Sequence, residues 1–368
     1  MSKTIKILHG GDIHLDTPFE SLPEEKAVSR RKMQRTLLRE IASLARSEQV
    51  DLVLLAGDLL DGSTAYMETL RDLTRMFSGI DVPIFISPGN HDYYAPDTPY
   101  GTLALPDNVH VFKSSEIECR PLPELGVRVW GAGFTDRVSP PLLEGFKVSE
   151  GPPGIIDLLV IHGEVTPVSM YNPISEMDLE ESGVHYAALG HSHYFSGLRR
   201  AGGTYYAWPG CAEGRGFDET GDKGVIIAQV SRDDVKLRLV PLPGAMRYEI
   251  LEVSLTDKAD VLKAVLSELP GDCTRCIYRI IFTGQAIAPP DMRKLRRELE
   301  DRFFALEMED KTTPPTDVWD GMGADSLRGL FANKLYNMLK AAKSEDEKSL
   351  ILEAARWGQM ALDNVDEA

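Results

Sequence analysis

Across residues 1–245, short apolar runs recur, and each stops at a polar or glycine-rich corner. Ile5-Lys6-Ile7-Leu8 leads into His9-Gly10-Gly11-Asp12, and Leu52-Val53-Leu54-Leu55 leads into Gly57-Asp58. Val82-Pro83-Ile84-Phe85-Ile86 ends at Pro88-Gly89-Asn90-His91, Leu158-Leu159-Val160-Ile161 at His162-Gly163, and Tyr186-Ala187-Ala188-Leu189 at Gly190-His191. The runs are short and often do not alternate, as expected of strands covered on both faces. Helical periodicity separates the first runs. Residues 27–46 carry an apolar stripe of Val28, Leu37, Leu38, Ile41 and Leu44, and residues 66–77 form a second helix. Strand alternating with helix predicts an α/β core, and ligands of such sheets gather beyond the carboxyl ends of the strands. Every corner named above stands at such an end.

Further strands are expected at Val127–Trp130, Tyr205–Trp208, Val225–Val230 and Val235–Val240. Residues 140–153 are rich in Pro and Gly and read as an exposed loop. Pro241 and Pro243 break the strand pattern near residues 242–246, so a first domain is expected over residues 1–245. Residues 246–320 read as a small α/β domain. Its second helix, from Asp291, is basic through Arg293, Lys294, Arg296 and Arg297, either as a solvated face or as one turned toward substrate. Residues 321–368 read as helical, with Leu327, Leu330, Phe331, Leu335, Met338 and Leu339 at helical spacing. Ser344 followed by Glu347 forms a capping-box start for the last helix. These helices either dock on the core or hold a partner.

Composition narrows the class. No run of about twenty apolar residues exists to span a bilayer, and the first residues lack a signal-peptide plan. The expected compartment is the cytoplasm, with no membrane association. Four cysteines are too few for a disulfide scaffold in 368 residues. Cys273 and Cys276 form a lone CxxC, which is either structural or a redox or metal pair. The formal net charge of −17 argues against a broad basic surface.

Chemistry concentrates at the strand ends. Of eight histidines, His14, His91, His162, His191 and His193 stand there, beside glycine, aspartate or asparagine. Asp12 and His14 place two ligand types on one turn, Asp58 can bridge two cations, and Asn90 offers a neutral oxygen. His162, His191 and His193 add imidazoles. This mixture of imidazole, carboxylate and amide oxygen suits Mn²⁺, Fe²⁺ or Zn²⁺ better than Ca²⁺. His9 is either structural or a brace for the site, and His110 and His185 read as structural. The Gly210–Gly216 turn is of a kind that can cradle phosphate.

The ordered segments Gly11-Asp12-Ile13-His14, Gly57-Asp58-Leu59-Leu60-Asp61, Gly89-Asn90-His91-Asp92, His162-Gly163 and Gly190-His191-Ser192-His193 resemble the motifs of the calcineurin-like metallophosphoesterases. The opening Leu8–Asp16 and the run Trp208–Phe217 narrow the resemblance to SbcD-like nucleases of DNA double-strand-break repair. That resemblance implies a β-sandwich core flanked by helices, with a small α/β capping domain and C-terminal helices. It implies that Asp12, His14 and His193 hold one ion, that Asn90, His162 and His191 hold another, and that Asp58 bridges them. His91 would face the scissile phosphate, oriented by Asp92. Some relatives carry a histidine where this chain has Asp61, which leaves strand preference open; Asp61 can instead hydrogen-bond a ligand histidine. Two divalent ions, Mn²⁺ before Fe²⁺ or Zn²⁺, would neutralise the phosphate and activate water for attack, with His91 supporting the transition state. The implied function is a DNA exonuclease or endonuclease, acting as a homodimer with an SbcC-like coiled-coil ATPase. The Gly210–Gly216 turn would then face DNA or the second protomer. A phosphoesterase of small molecules or phosphoproteins is the alternative, which the acidic charge favours. A non-enzymatic scaffold is disfavoured by the complete ligand set.

Overall fold

The computed structural model describes residues 3–286, 288–313, 319, 322–323 and 325–366. Contacts divide the chain into two compact units, Met1–Met246 and Arg247–Ala368. In chain order the first unit carries β1 (Ile5–Gly10), α1 (Glu24–Ser47), β2 (Leu52–Leu55), α2 (Met67–Ser78), β3 (Ile84–Ile86), α3 (Pro99–Thr102), β4 (Val109–Val111), β5 (Glu118–Leu122), β6 (Val127–Gly131) and β7 (Ile156–His162). It continues through β8 (Glu164–Val165), β9 (Pro173–Ile174), α4 (Glu176–Ser182), β10 (Tyr186–Gly190), β11 (Arg199–Ala201), β12 (Thr204–Ala207), β13 (Val225–Val230) and β14 (Val235–Val240).

Two six-stranded sheets result, ordered β14-β13-β1-β2-β3-β4 and β11-β12-β10-β7-β6-β5. The strands that carry the polar corners, β1 to β3 in one sheet and β7 and β10 in the other, are parallel to their corner-bearing neighbours. Residues from facing sides of the two sheets meet in one core: Ile5, Ile7, Leu52 and Leu54 against Val129, Leu158, Val160 and Ala188. The alternate residues face outward. Leu8, Val53 and Leu55 pack on Leu37, Leu38 and Ile41 of α1 and on Leu73, Met76 and Phe77 of α2. On the other side, Leu159, Ile161, Ala187 and Leu189 cover Leu179 of α4 together with Leu143 and Ile174. The runs therefore fail to alternate because each side chain meets an apolar layer on its own face. Each such burial contributes about 1.5–3 kcal/mol. The result is an α/β core, two sheets face to face with helices outside.

One residue of the expected α1 stripe is misplaced. Val28 is 53% exposed, and Ala27, Arg30 and Gln34 take the inner face of that end of the helix. Arg30 is fully buried because Glu213 meets its guanidinium at 2.8 Å and the Gly214 carbonyl accepts a second bond. Glu213 also accepts the Met246 N–H at 2.8 Å. A buried ion pair ties α1 to the loop that follows β12.

In the second unit, β15 (Arg247–Ser254), β16 (Cys276–Thr283) and β17 (Ala305–Asp310) form a parallel sheet, with α5 (Val261–Glu268) and α6 (Met292–Leu299) as crossovers. Val253, Val265, Ile280, Phe282, Leu295 and Leu299 share its core. Arg293, Lys294 and Arg297 of α6 are exposed, and Arg296 donates to the Leu306 carbonyl. Cys273 and Cys276 are buried free thiols. The helical extension is α7 (Leu327–Ala341) and α8 (Glu345–Asp366). Ser344 accepts the Glu347 N–H as a cap, while the Glu347 carboxylate reaches the N–H of Lys343 rather than that of Ser344. Among the described residues, no helix is long and apolar enough to cross a membrane.

Removing one partner of the buried pair leaves a charge without compensation. Arg30→Met is expected to cost about 3–5 kcal/mol, read as a lower denaturant midpoint for the first unit. The double variant R30M/E213L should recover only part of that loss, because the Met246 N–H and the Gly214 carbonyl lose their partners. Val28→Lys, at an exposed position, should stay within about 0.5 kcal/mol of the parent.

Candidate metal centre

Asp12, Asp58, Asn90 and His191 follow the carboxyl ends of β1, β2, β3 and β10, and His162 is the last residue of β7. Register sets these ends level within each sheet, Gly10 beside Leu55 and Gly190 beside His162. The backbone then turns sharply. Four of the donor residues lie in the left-handed region, with φ of 48° at Asp12, 49° at His14, 51° at Asp58 and 93° at His191. Such values cost about 1–3 kcal/mol each and persist where the surroundings dictate them. Here the Asp12 N–H is held by the Gly57 carbonyl and the His14 N–H by the Asp58 carbonyl, both at 2.9 Å. The sheets come closest at Gly190, where any Cβ would collide with the Ala56 carbonyl and with the His162 ring. Only glycine allows that approach.

All seven expected ligands converge. The Asp58 Oδ2 atom lies 3.8 Å from His14 Nε2 and 3.5 Å from His162 Nε2. On one side of it, His14 Nε2 and His193 Nε2 are 3.2 Å apart, and Asp12 Oδ1 is 4.0 Å and 3.8 Å from them. On the other side, Asn90 Oδ1 is 3.0 Å from His162 Nε2 and 3.2 Å from His191 Nδ1. The triads Asp12–His14–His193 and Asp12–Asp58–His162 each bring their donor atoms within 4.8 Å of one another. So does a third triad, His14–Asp58–His91.

Partners behind the rings fix which nitrogen is free. A carbonyl or ionised carboxylate can only accept, so a ring nitrogen against one must carry the proton. The Ala56 carbonyl is 2.8 Å from His162 Nδ1, the Asp61 carboxylate 2.9 Å from His14 Nδ1, and the Glu219 carboxylate 2.7 Å from His193 Nδ1. Each ring therefore donates outward from Nδ1 and turns a bare Nε2 lone pair inward. Two inward lone pairs at the His14–His193 distance repel, as do the His162 lone pair and the Asn90 carbonyl oxygen. Cations between them turn that repulsion into coordination. Backing by an acceptor is also the usual support of a metal-bound imidazole. The donor set fits a binuclear divalent-metal centre.

The electrostatics agree. Burial drives the Asp12 carboxyl well above the usual range and the charge of Asp58 adds to it, while burial also raises Asp58. Burial pulls His162 and His191 down to about 4 and His14 well below its ordinary value. Crowded acids resist ionising and crowded bases resist protonation, and a divalent cation reverses the first and is served by the second.

Asp92 has a different place from the one expected. It does not orient His91. It is fully buried and accepts N–H groups from Gly89 at 2.8 Å, Asp58 at 3.1 Å, Leu59 at 2.8 Å and Leu60 at 3.3 Å, plus the Tyr100 hydroxyl at 2.6 Å. It braces the turn that carries Asp58. The group next to His91 is Asp61, whose carbonyl accepts from Nδ1 at 3.1 Å and whose carboxylate is 3.7 Å away. His91 itself stands at the rim with a side chain 41% exposed. It lines an open cavity of about 310 Å³ with Asn90, Arg137 and Tyr171.

Several supports carry no local sequence signal. Asn172 donates to the His162 carbonyl at 2.7 Å, and the Trp208 indole N–H is shared by the Gly163 and Gly190 carbonyls. His9 is a brace, with Nε2 donating to the Leu189 carbonyl and Nδ1 accepting from Tyr186.

Comparison with known proteins adds the following. Residues 5–195 match the calcineurin-like phosphoesterase family. The chain is 30% identical over 341 residues to an uncharacterized metallophosphoesterase, YhaO, of Bacillus subtilis (strain 168), covering 87% of this chain and 81% of that protein. It is 24% identical to the DNA double-strand break repair protein Mre11 of Saccharolobus solfataricus, covering 95% of this chain and 94% of that one. To the protein of the same description from Aeropyrum pernix it is 25% identical, over 71% of this chain and 66% of the other.

Asp92→Asn replaces an acceptor oxygen with an amide donor. Oδ1 faces two N–H groups and Oδ2 faces two N–H groups and a hydroxyl, so neither orientation escapes the conflict. The variant should lose about 3 kcal/mol of stability or more, seen as a lower unfolding midpoint. A slowed enzyme of parental stability would point instead to a direct part in the chemistry.

Proposed function

The chain belongs to the calcineurin-like phosphoesterase family, and on that premise we propose that it hydrolyses phosphodiester bonds of DNA with the help of two divalent cations, Mn²⁺ first among them. The observation that carries the reading is the Asp58 carboxylate lying between two opposed groups of inward lone pairs. Asp12, His14 and His193 are assigned to one ion, Asn90, His162 and His191 to the other, and Asp58 to both. When bound, such a pair neutralises phosphate oxygens and lowers the pKa of water about to attack phosphorus.

The chain's own residues supply the rest. Asp58 and Asp12 set the negative charge that holds the ions. Asp61 and Glu219 keep the lone pairs of His14 and His193 pointed inward. His91 gives its Nδ1 proton to the Asp61 carbonyl, which leaves Nε2 as the atom available to the phosphate or the leaving oxygen. Arg137 and Tyr171 line the same cavity and offer a cation and an aromatic face to a nucleotide. DNA as substrate is supported by the similarity to the two double-strand break repair proteins over most of this chain. A homodimer, a capping role for residues 246–320 and an SbcC-like ATPase partner enter this reading from the resemblance of Leu8–Asp16 and Trp208–Phe217 to SbcD-like nucleases. The net charge of −17 supports the second reading, a phosphoesterase of small or protein substrates.

Cleavage of end-labelled single- and double-stranded DNA by the pure protein with Mn²⁺ separates the two. Turnover of bis(p-nitrophenyl) phosphate with no cleavage of DNA would favour the small-substrate reading. Asp58→Asn should nearly abolish turnover and weaken both ions after dialysis. His91→Ala should keep parental metal content and lower the single-turnover rate about 10²-fold or more. His162→Ala should lose metal as well as rate. Loss of an ion in the His91 variant, or an unchanged rate, would overturn the role given to His91.

A further inference from the structure

Asp61 and Glu219, the carboxylates behind His14 and His193, come from distant parts of the chain and would repel one another if nothing stood between them. Arg215 stands there. Its guanidinium is largely buried, with a side chain 16% exposed. Nη1 donates to Asp61 Oδ1 at 3.3 Å, while Nη2 and Nε donate to the two oxygens of Glu219 at 2.7 Å and 3.2 Å. The Arg215 backbone N–H gives Glu219 a further bond at 2.9 Å. The same Asp61 Oδ1 atom accepts from His14, and the same Glu219 Oε1 atom accepts from His193. Nη2 comes within 3.0 Å of His193 Nδ1 because both donate to that shared oxygen.

The arrangement is one-sided. The rings on the opposite side of Asp58 have other supports. His162 is held by the Ala56 carbonyl, and His191 Nε2 has the half-exposed Glu164 carboxylate at 3.9 Å. Among the described residues, no hydrogen bond or ion pair joins Arg215 to Asn90, His162 or His191. The backbone and side-chain donors of Arg215 hold the Glu219 carboxylate in place as the acceptor facing His193 Nδ1. Arg215 is positioned in turn, since the neighbouring Glu213 is locked to Arg30 of α1 and to the Met246 N–H.

We propose that Arg215 is a positioning residue for one half of the metal centre: by bridging Asp61 and Glu219 it fixes the Nε2 lone pairs of His14 and His193, and so sets the affinity of the ion they hold without affecting the other. This rests on the two-cation reading above. It predicts an asymmetry that a general stabilising role would not produce. A planar fork aims separate N–H groups at two carboxylates and fixes both directions, which a lysine ammonium on a flexible stem does less well.

The test is calorimetric titration of Mn²⁺ into the metal-free protein, with Co²⁺ absorption as a second readout of ligand geometry, for the parent, Arg215→Lys and Arg215→Gln. The parent should bind two ions. Both variants should bind one ion with parental affinity and the other about 10–100-fold more weakly, with Arg215→Lys less affected. Their Co²⁺ spectra should change for one of the two ions. Turnover of bis(p-nitrophenyl) phosphate should fall and recover at high Mn²⁺ with KM near the parental value. Arg215→Lys keeps the buried positive charge, so it serves if Arg215→Gln does not fold. Parental affinity at both sites, equal weakening of both, or a raised KM with intact metal binding would each overturn the proposal. A parent that binds fewer than two ions would instead sink the two-cation reading.

Discussion

Burying the carboxylate of Asp58 between imidazoles delivered by two different sheets sets the terms that the rest of the first unit meets. Asp58 follows β2 of one sheet, and His162 ends β7 of the other. For one oxygen to lie near His14 Nε2 and His162 Nε2 together, the sheets must touch at their carboxyl ends. That contact falls at Gly190 against Ala56, where no side chain fits. The sandwich core of Ile7, Leu54, Leu158 and Val160 then holds the two edges in register. An arrangement of stacked lone pairs is unfavourable by itself, so the apolar layers carry its cost until cations are bound.

The strained turns belong to the same arrangement. Side chains of Asp12, His14, Asp58 and His191 reach the centre from left-handed backbone, a conformation L-residues disfavour. Backbone bonds from Gly57 and Asp58, and the five donors gathered by Asp92, leave those turns little alternative. Around this lies a layer of acceptors that decides proton positions: Ala56, Asp61 and Glu219 each take an Nδ1 proton. Geometry and protonation state are therefore fixed by different residues, the first by backbone, the second by groups behind the rings. The acidic net charge is compatible with an anionic substrate on this view, because the buried acids serve the cations, while the rim presents His91 and Arg137.

The strand ends and the donors on them were legible in the sequence for one reason. Each donor sits within a few residues of an apolar run, and the run's length and lack of alternation announce a doubly covered strand. Local pattern thus yielded the α/β core, the helices between strands, and the seven residues Asp12, His14, Asp58, Asn90, His162, His191 and His193 as one group. What lay outside its reach involves partners chosen by folding. Asp92 adjoins His91 in the chain, yet at this bend its side chain turns inward to the Asp58 turn while His91 stands at the rim. Val28 fits a helical stripe by spacing, but the inner face at that end of α1 goes to Arg30, which a loop meets with Glu213, and Val28 is left exposed. Glu219 and Arg215 stand in a polar turn with no periodicity, and only closure of the loop after β12 brings them behind His193. The sequence by itself determined which residues could hold metal, since donor chemistry and strand ends are local properties. Which nitrogen of each ring is free, and which charges stand behind it, was decided only by the tertiary structure, because those depend on groups brought together across the whole length of the first unit.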